Sequence, residues 1–331
     1  IKTGEILALA SQPSFDLMDF SYSITKEKWG EITGDTNFPF LNRATQSTYP
    51  PGSVFKIVTA YAAISENVIN YDTKFFCPGY YKIGNRKFRC WKHSGHGWVD
   101  FRKSLVQSCD VYFYQIADRL GIDKLSYYMK MFGFGSETGF DLTEKSGVAP
   151  SREWKLKNFK KPWYKGETAI AAIGQGYLTV TPMQVNVMTA AIANEGTILK
   201  PVIVKNISNK YPSTENNLQK NYINQSITQK IKEALRGVVN DAGGTGSRAK
   251  SNIVEIAGKT GTAQVVALGT EKNNKKYTDH AWFTSYAPAE DPEIAVTVLI
   301  ENGGKGGAVA APIAKEIIET FYKLKNKPDD I

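Results

Sequence analysis

The sequence has no long hydrophobic run, and none of its apolar stretches approaches the ~20 residues that a helix needs to cross a bilayer. It has no signal-peptide pattern, and it begins at Ile1 without an initiator methionine, so we expect a fragment of a longer protein. It also lacks internal repeats and low-complexity linkers, which excludes a repeat array or a disordered chain. A globular domain remains.

No strong compositional bias points to a special class of protein. The chain has 331 residues, which is long enough to bury a sizeable core. Of these residues 42% are hydrophobic and 22% are charged, which is ordinary for a globular protein. The net charge is +9, but lysine and arginine are scattered and show no aromatic-basic pattern typical of RNA binding. We therefore expect no nucleic-acid partner. The basic surface either faces an anionic polymer or is simply solvated.

The order of sequence patterns predicts an α/β fold of the α+β type. One strand opens the chain, a mainly helical middle follows, and several strands and a last helix close it. Late strands joined by short loops should pair antiparallel, so we expect an antiparallel sheet flanked by helices. A helical lobe at about 66–180 is inserted in the sheet-containing lobe, with a cleft between them. The patterns predict strands at 4–11, 255–265, 280–288 and 293–302, and helices at 53–65, 104–121, 122–133, 181–196, 227–240 and 311–325.

The stretch "GSVFKIVTAYAAI" places one lysine, Lys56, in a helix that is apolar nearly all round. Burial removes solvation from an ammonium and makes the neutral amine accessible. Ser53 is three residues earlier, so the two side chains share a helix face. A desolvated lysine within reach can act as a base for a serine nucleophile. In isolation the pair is better explained as a capping serine followed by a lysine that extends to the surface.

Two further motifs accompany this pair: Ser108-Cys109-Asp110 and Lys259-Thr260-Gly261-Thr262. Their order and wide spacing match the S-x-x-K, S-x-N/D and K-T-G set of serine enzymes that act on penicillins and peptidoglycan stems. The chain thus resembles the transpeptidase domain of a class B penicillin-binding protein, more narrowly the elongation-type (rod-shape) enzyme of Gram-negative bacteria. The resemblance covers almost the whole chain, including "YPPGSVFK", "RCWKHSGHG", "SCDVYFYQIA", "FKKPWYKGET", "IGQGYLTVTPMQ", "GKTGTAQ" and "HAWFTSYAP".

The resemblance implies a role for each residue of the first two motifs. Ser53 matches the nucleophile that becomes acylated, and Lys56 matches its base. Ser108 matches a hydroxyl that relays protons toward the leaving amine. Asp110 stands where many relatives carry asparagine. Its charge favours a protonated Lys56, so the base of the resting state is left open.

The third motif is implied to bind substrate. Lys259 would add positive potential, and the hydroxyls of Thr260 and Thr262 would bind the terminal carboxylate. Gly261 would let the strand backbone approach the acyl group closely. The backbone N–H groups of Ser53 and Thr262 would form the oxyanion hole, which is usually the largest catalytic contribution.

The implied reaction is a peptidoglycan D,D-transpeptidation through a serine acyl-enzyme, which β-lactams would also form. The alternatives are a D,D-carboxypeptidase or a β-lactamase on the same scaffold, or a non-catalytic β-lactam sensor. No glutamate in an "ExxLN"-type loop follows the second motif, which argues against a β-lactamase. The implied partners are a membrane glycosyltransferase and elongation-complex proteins. The implied location is the periplasmic face of the cytoplasmic membrane, with an N-terminal anchor outside this sequence.

The three cysteines, Cys77, Cys90 and Cys109, and two of the three histidines fall between residues 77 and 109, and the part of this stretch up to residue 100 shows no helical period. Thiolate and imidazole ligands together suit Zn²⁺, and a metal would hold this irregular segment in place. The alternatives are a Cys77–Cys90 disulfide with a buried free Cys109, or three buried thiols.

The resemblance implies zinc at this cluster, with a structural role. Its ligands would be Cys77, Cys90, His96 and Cys109, with His93 as the substitute for His96. Cys109 lies between Ser108 and Asp110, so its side chain should point away from the cleft if theirs point into it. A metal behind the second motif would then fix the position of that motif.

Overall fold

The computed structural model describes residues 1–204, 218–219, 223–265 and 278–327. Short 3₁₀ turns cover Leu17–Phe20, Gly52–Phe55 and Ser247–Ala249. The helices are α1 (Lys26–Gly34), α2 (Arg43–Gln46), α3 (Lys56–Ser65), α4 (Phe101–Val106), α5 (Asp110–Met131), α6 (Arg152–Phe159), α7 (Lys165–Ala172), α8 (Pro182–Ala193), α9 (Gln225–Asn240) and α10 (Gly306–Lys325). The strands are β1 (Phe75–Cys77), β2 (Tyr80–Ile83), β3 (Arg86–Arg89), β4 (Gly97–Val99), β5 (Ile198–Leu199), β6 (Leu218–Gln219), β7 (Ala257–Ala263), β8 (His280–Ala287) and β9 (Ile294–Ile300).

The three late strands form one antiparallel sheet in the order β7-β8-β9, as the sequence predicts. Side chains alternate between its faces. Phe283 packs with α10 on one face, whereas Trp282 belongs to the larger core, which also includes α3, α5 and α8, on the other. Lys259 lies opposite Thr284 in the register, so it projects on the same face as Trp282. The sheet therefore presents Lys259 to the helices.

Helix α3 is buried because its sequence offers no polar face. Eight of its ten residues are buried, Lys56 among them. The predicted helix starts one turn too early: Ser53 lies on the 3₁₀ turn Gly52–Phe55, and the α-helix begins at Lys56. Ser53 still comes at the N-terminal end of this helical segment, as expected.

The predicted helix at 104–121 would place the second motif inside one continuous helix, but the structure has a break there. Helix α4 ends at Val106, and Ser108 takes a φ of 53° before α5 begins at Asp110. Such a left-handed conformation is uncommon for a residue other than glycine and costs of order 1–3 kcal/mol. The predicted stop at Gly121 appears as a kink, since Gly121 has a non-helical backbone inside α5.

Two expectations about secondary structure are wrong. Among the described residues, the opening strand at 4–11 is reduced to one parallel bridge between Glu5 and Val202, because Leu7 and Leu9 are exposed and alternation alone supplies no partner strand. The region between the predicted helices at 122–133 and 181–196, for which no helix is predicted, contains α6 and α7, which local capping explains. Ser151 accepts a bond from Trp154 N at the start of α6, and Glu167 accepts one from Tyr164 N at the start of α7.

The middle of the chain is helical with two small ribbons. Between 66 and 180 lie α4 to α7 and the antiparallel pairs β1–β4 and β2–β3, both in the segment 72–100 for which no helix is predicted. The division into an inserted lobe and a sheet-containing lobe stays a prediction. Over the described residues, no helix combines the length and apolar character needed to cross a membrane.

Candidate active site

Lys56 is fully buried and directed at the second motif. Its Nζ donates to Ser108 O (2.9 Å), Ser108 Oγ (3.1 Å) and Asp110 Oδ1 (2.5 Å). An ammonium carries three donors, and these contacts use all three. The alternative of a lysine that extends to the surface is therefore wrong, because the side chain is completely enclosed.

Lys259 reaches the same serine from the sheet. Its Nζ donates to Ser108 Oγ (3.0 Å) and to Thr260 O (3.2 Å). Burial lowers the pKa of Lys259 well below its ordinary value, and the nearby charge of Lys56 lowers it further. Ser108 Oγ thus contacts two buried amines at once. The positive potential expected from Lys259 applies only below its lowered pKa.

Asp110 is fixed from two directions. Its Oδ1 accepts from Lys56, and its Oδ2 accepts from Trp91 N at 2.8 Å. Burial raises the pKa of Asp110, and the charge of Lys56 opposes that rise. Trp91 also donates through Nε1 to Ser108 O at 3.0 Å. Sequence reasoning missed Trp91; its position next to the candidate metal ligand Cys90 was the available signal.

The turn that carries Ser53 packs against the backbone of β7. Ser53 is half-buried, whereas Val54, Phe55 and Lys56 are enclosed. Gly52 has a φ of 55°, and a Cβ there would lie 2.6 Å from Thr262 O and 3.2 Å from Thr262 N. The two segments expected to supply the oxyanion hole are therefore in direct contact.

Gly261 meets the same turn from the strand. A Cβ on Gly261 would lie 2.9 Å from Pro51 O and from Val54 Cγ2. The close contact that requires glycine is thus with the segment around the nucleophile. Its expected approach to an acyl group stays a prediction.

The two threonines of the third motif project from β7 on the face opposite Lys259, because side chains alternate along a strand. Thr260 is nearly enclosed, and its Oγ1 donates to Thr245 Oγ1 at 2.9 Å. Thr262 is half-buried. Thr245 lies in the segment "DAGGTGSRAK", which carries no sequence signal for a site. Carboxylate binding by these hydroxyls stays a prediction.

The predicted metal ligands converge at one point. The candidate ligand atoms of Cys77, Cys90, His96 and Cys109 all lie within 4.8 Å of one another, and all four residues are buried. His96 Nδ1 is 3.6 Å from Cys77 Sγ and 3.5 Å from Cys90 Sγ. The substitute ligand, His93, is exposed and lies outside this group.

The protonation chemistry of this cluster suits a cation. All three cysteines are free, so the Cys77–Cys90 disulfide is absent. The hydrogen bond with Cys109 lowers the pKa of Cys77 to about 6 and that of Cys90 to about 3, against the effect of burial. The same bonds raise the pKa of Cys109. Cys77 and Cys90 thus favour the thiolate, which is the form that binds metal, and Cys109 stays the proton donor to them in the metal-free cluster.

The second motif faces the two sites with alternate residues. Ser108 and Asp110 contact Lys56, while Cys109 between them joins the buried Cys/His group. The predicted opposite orientation of Cys109 is therefore confirmed. Lys56, Ser108, Asp110 and Lys259 form one buried cluster. The other predicted catalytic and substrate-binding residues lie on strand β7 or on the turn Gly52–Phe55 that carries Ser53, which we call the nucleophile turn.

Residues 1–319 match the family model described as the penicillin-binding protein transpeptidase domain. The chain belongs to this family. It is 42% identical to the peptidoglycan D,D-transpeptidase MrdA of Haemophilus influenzae, over 98% of this chain and 52% of that protein. It is 36% identical to MrdA of Escherichia coli K12, over 99% of this chain and 54% of that protein. The transpeptidase domain spans about half the length of these curated relatives.

Solved structures of the family agree with the fold. The penicillin-binding protein PBP2 of Pseudomonas aeruginosa, in complex with WCK 5153, has a TM-score of 0.89 and 37% identity, covering 96% of this chain and 69% of that one. PBP2 of Helicobacter pylori in complex with MreC has a TM-score of 0.86 and 35% identity, covering 95% and 57%. The predicted fold class and the resemblance to the elongation-type branch are confirmed.

The contact between Gly52 and Thr262 predicts that Gly52→Ala abolishes most acylation of this transpeptidase domain by a β-lactam. The new Cβ would push the nucleophile turn away from β7. Gly84→Ala is the matched control, because Gly84 has nearly the same φ (56°), and a Cβ there would lie more than 4 Å from every described residue other than its chain neighbours. It should cost about 1–2 kcal/mol of unfolding free energy, the cost of a left-handed alanine, without slowing acylation. Equal acylation rates in the two variants would contradict the prediction.

The lowered pKa of Lys259 predicts how stability depends on pH. Between that pKa and the ordinary value of 10.5, the unfolded chain binds more protons than the folded one, so wild-type stability rises with pH. In this pH range, folding therefore includes the free-energy cost of removing a proton from Lys259, and Lys259→Met removes that cost. Its unfolding free energy relative to wild type should therefore be higher at pH 7 than at pH 10, as urea unfolding would measure. Lys250→Met, at an exposed lysine, controls for the loss of an amine. A relative stability that is the same at both pH values would contradict a buried, neutral Lys259.

Proposed function

We propose that this chain is a serine D,D-transpeptidase that joins peptidoglycan stem peptides during cell-wall elongation and is acylated by β-lactams. The observation that carries the proposal is the hydroxyl of Ser108, which contacts both buried lysines, Lys56 just after the turn that carries Ser53 and Lys259 on strand β7. The names of the relatives from Haemophilus influenzae and Escherichia coli support the same activity.

The first half of the reaction forms the acyl-enzyme. Ser53 Oγ bonds to the carbonyl carbon of the penultimate D-alanine, and its proton enters the chain formed by Lys56, Ser108 and Lys259. The N–H groups of Ser53 and Thr262 stabilise the developing oxyanion. The C–N bond then breaks, and Ser108 Oγ delivers a proton to the departing D-alanine amine.

The second half transfers the acyl group. An amine of a neighbouring stem peptide attacks the ester carbon, gives up a proton to the same chain of groups, and releases Ser53 as its hydroxyl. Lys56 forms an ion pair with Asp110 at 2.5 Å, whereas burial lowers the pKa of Lys259, so we assign the proton-accepting amine of the resting enzyme to Lys259. Proton exchange between the two lysines passes through Ser108 Oγ.

Hydrolysis of the acyl-enzyme has little support from the described residues. A β-lactamase needs a base that activates water, and two buried or half-buried glutamates that follow the second motif in the sequence are paired with other groups. Glu144 accepts from Thr138, and Glu167 accepts from Tyr164 N and pairs with Lys155. This favours transfer to an amine over a β-lactamase reaction.

Zinc is the second element of the proposal, with Cys77, Cys90, His96 and Cys109 as its ligands. In a tetrahedral zinc site the sulfur and nitrogen ligands lie about 3.6 Å apart, which matches the two distances from His96 Nδ1. Bound there, zinc would hold Cys109 and the loop that carries Trp91. Those two residues set the position of Ser108 and Asp110, so the role of the metal would be structural.

The proposed partners follow from the relatives. One similar structure is PBP2 bound to MreC, and another is described as a peptidoglycan synthase complex that coordinates polymerization and crosslinking. We propose that the whole protein works beside a membrane glycosyltransferase and elongation-complex proteins, at the periplasmic face of the cytoplasmic membrane. The relatives extend well beyond the matched length, and that additional length would carry the anchor.

A fluorescent penicillin should label the wild-type chain stably at Ser53, as intact mass and peptide mapping would show. Ser53→Ala should abolish the label. Ser65→Ala is the matched control, because Ser65 is the last residue of the adjoining helix, at the end away from Ser53. Label that survives in Ser53→Ala would refute the nucleophile, and rapid turnover of the label would indicate a β-lactamase.

Native mass spectrometry of protein purified without added metal should show one zinc ion per chain. His96→Ala should lose the metal, melt at a lower temperature and acylate more slowly, because the second motif loses its support. His93→Ala, at the exposed neighbouring histidine, should keep the metal and the activity. Absence of zinc in wild type, or full activity and stability after chelation, would overturn the zinc site.

A further inference from the structure

The segment Ile173–Gly176 contacts the third motif through Gln175, a residue for which the sequence alone predicts no role. Gln175 lies in the turn that follows α7, between two glycines with left-handed φ values of 74° and 77°. Its side chain is half-buried, and its Nε2 donates to Thr262 O at 3.1 Å. The bond joins this turn to the β7 residue that is expected to supply an oxyanion donor.

The nucleophile turn is held between this segment and β7. Gly52 N donates to Gly174 O at 2.8 Å, and a Cβ on Gly174 would lie 2.1 Å from Gly52 O. On its other side, Gly52 packs against the backbone of Thr262. Three backbones are thus in contact, and the Gln175 side chain connects the two outer ones.

The strand needs such a support at this point. β7 is an edge strand of the β7-β8-β9 sheet, so alternate peptide groups along it have no strand partner. Within one strand residue, the N–H and C=O groups point to the same side. A bond to Thr262 O therefore also fixes the direction of Thr262 N.

We propose that Gln175 is a positioning residue that sets the geometry of the oxyanion donors by holding Thr262 against the nucleophile turn. The inference rests on the proposed function. Gln175 acts through Thr262, so its loss should slow the acylation step while leaving binding of the unreacted ligand nearly unchanged. We expect a loss of about tenfold or more, below the ~100-fold or greater loss on removing an oxyanion donor itself.

The test uses Gln175→Met, which keeps the length of the side chain and removes the donor, and Gln175→Glu, which faces Thr262 O with an acceptor. For each variant, stopped-flow acylation by a chromogenic cephalosporin gives the acylation rate constant and the dissociation constant separately. Both variants should lose rate and keep the dissociation constant. The ester C=O stretch of the acyl-enzyme should also move to higher frequency, because weaker hydrogen bonds polarise the carbonyl less.

Gln184→Met is the matched control. Gln184 Nε2 also donates to backbone carbonyls, those of Ser136 and Ser146, but it belongs to the cap of α8. This variant should lose stability and show an unchanged carbonyl frequency.

The possible outcomes separate the two proposals. Gln175→Met with wild-type acylation, or with a changed dissociation constant alone, would overturn the positioning role. If Gln175→Met lost stability while the carbonyl frequency of its acyl-enzyme stayed unchanged, the positioning role would also be overturned. Failure of the wild-type chain to be labelled at Ser53 would instead refute the proposed function.

Discussion

The structure depends on one buried hydroxyl, Ser108 Oγ, which contacts the amines of Lys56 and Lys259 at 3.1 and 3.0 Å. Two charged amines this close would repel each other by about 4 kcal/mol at an effective dielectric constant of 20, taking a separation of about 4 Å. One carboxylate, Asp110, faces them. The cluster is therefore neutral overall when one lysine is charged and the other is not. That balance explains why a single carboxylate suffices.

The position of this hydroxyl is determined by a break between two helices. Ser108 is left-handed, and such strain persists only where the surroundings enforce it. Three contacts enforce it here: Lys56 and Trp91 bind its carbonyl oxygen, and the next residue, Cys109, is buried in the Cys/His group. A continuous helix from α4 to α5 would place Cys109 and Ser108 only 100° apart around the axis. The break lets them face the two sites separately.

The parts of the fold and site that could be predicted are those with a local chemical signal. The late strands have period-two patterns, Thr181 and Pro182 mark the start of α8, and Lys56 is conspicuous in an apolar helix. The cysteines and histidines are conspicuous by residue type, and the choice of His96 over His93 came from the resemblance to the family. Other features have no local signal. The strand at 4–11 alternates correctly but finds only one bridge, because pairing depends on a distant partner.

Dependence on a distant partner also explains why the sequence did not indicate roles for Trp91, Thr245 and Gln175. Each acts through a bond to a residue far along the chain, and the Gln175–Thr262 bond spans 87 positions. A glutamine between two glycines suggests a turn, but not which strand the turn contacts. A serine three residues before a lysine, by contrast, predicts its own geometry, since one helical turn joins them.

The glycines at the cleft show why nucleophile, strand and turn form one unit. Gly52, Gly174 and Gly261 each lie where a Cβ would come within 3 Å of a backbone oxygen of another segment. Backbones this close exclude side chains and water between them, so the peptide groups of one segment limit the orientation of the next. Amide donors held in this way need little reorganisation when negative charge develops, which is the condition for strong oxyanion stabilisation. The absence of side chains at these three positions is therefore a condition for the proposed oxyanion geometry, as the buried lysines are for the proposed proton transfer.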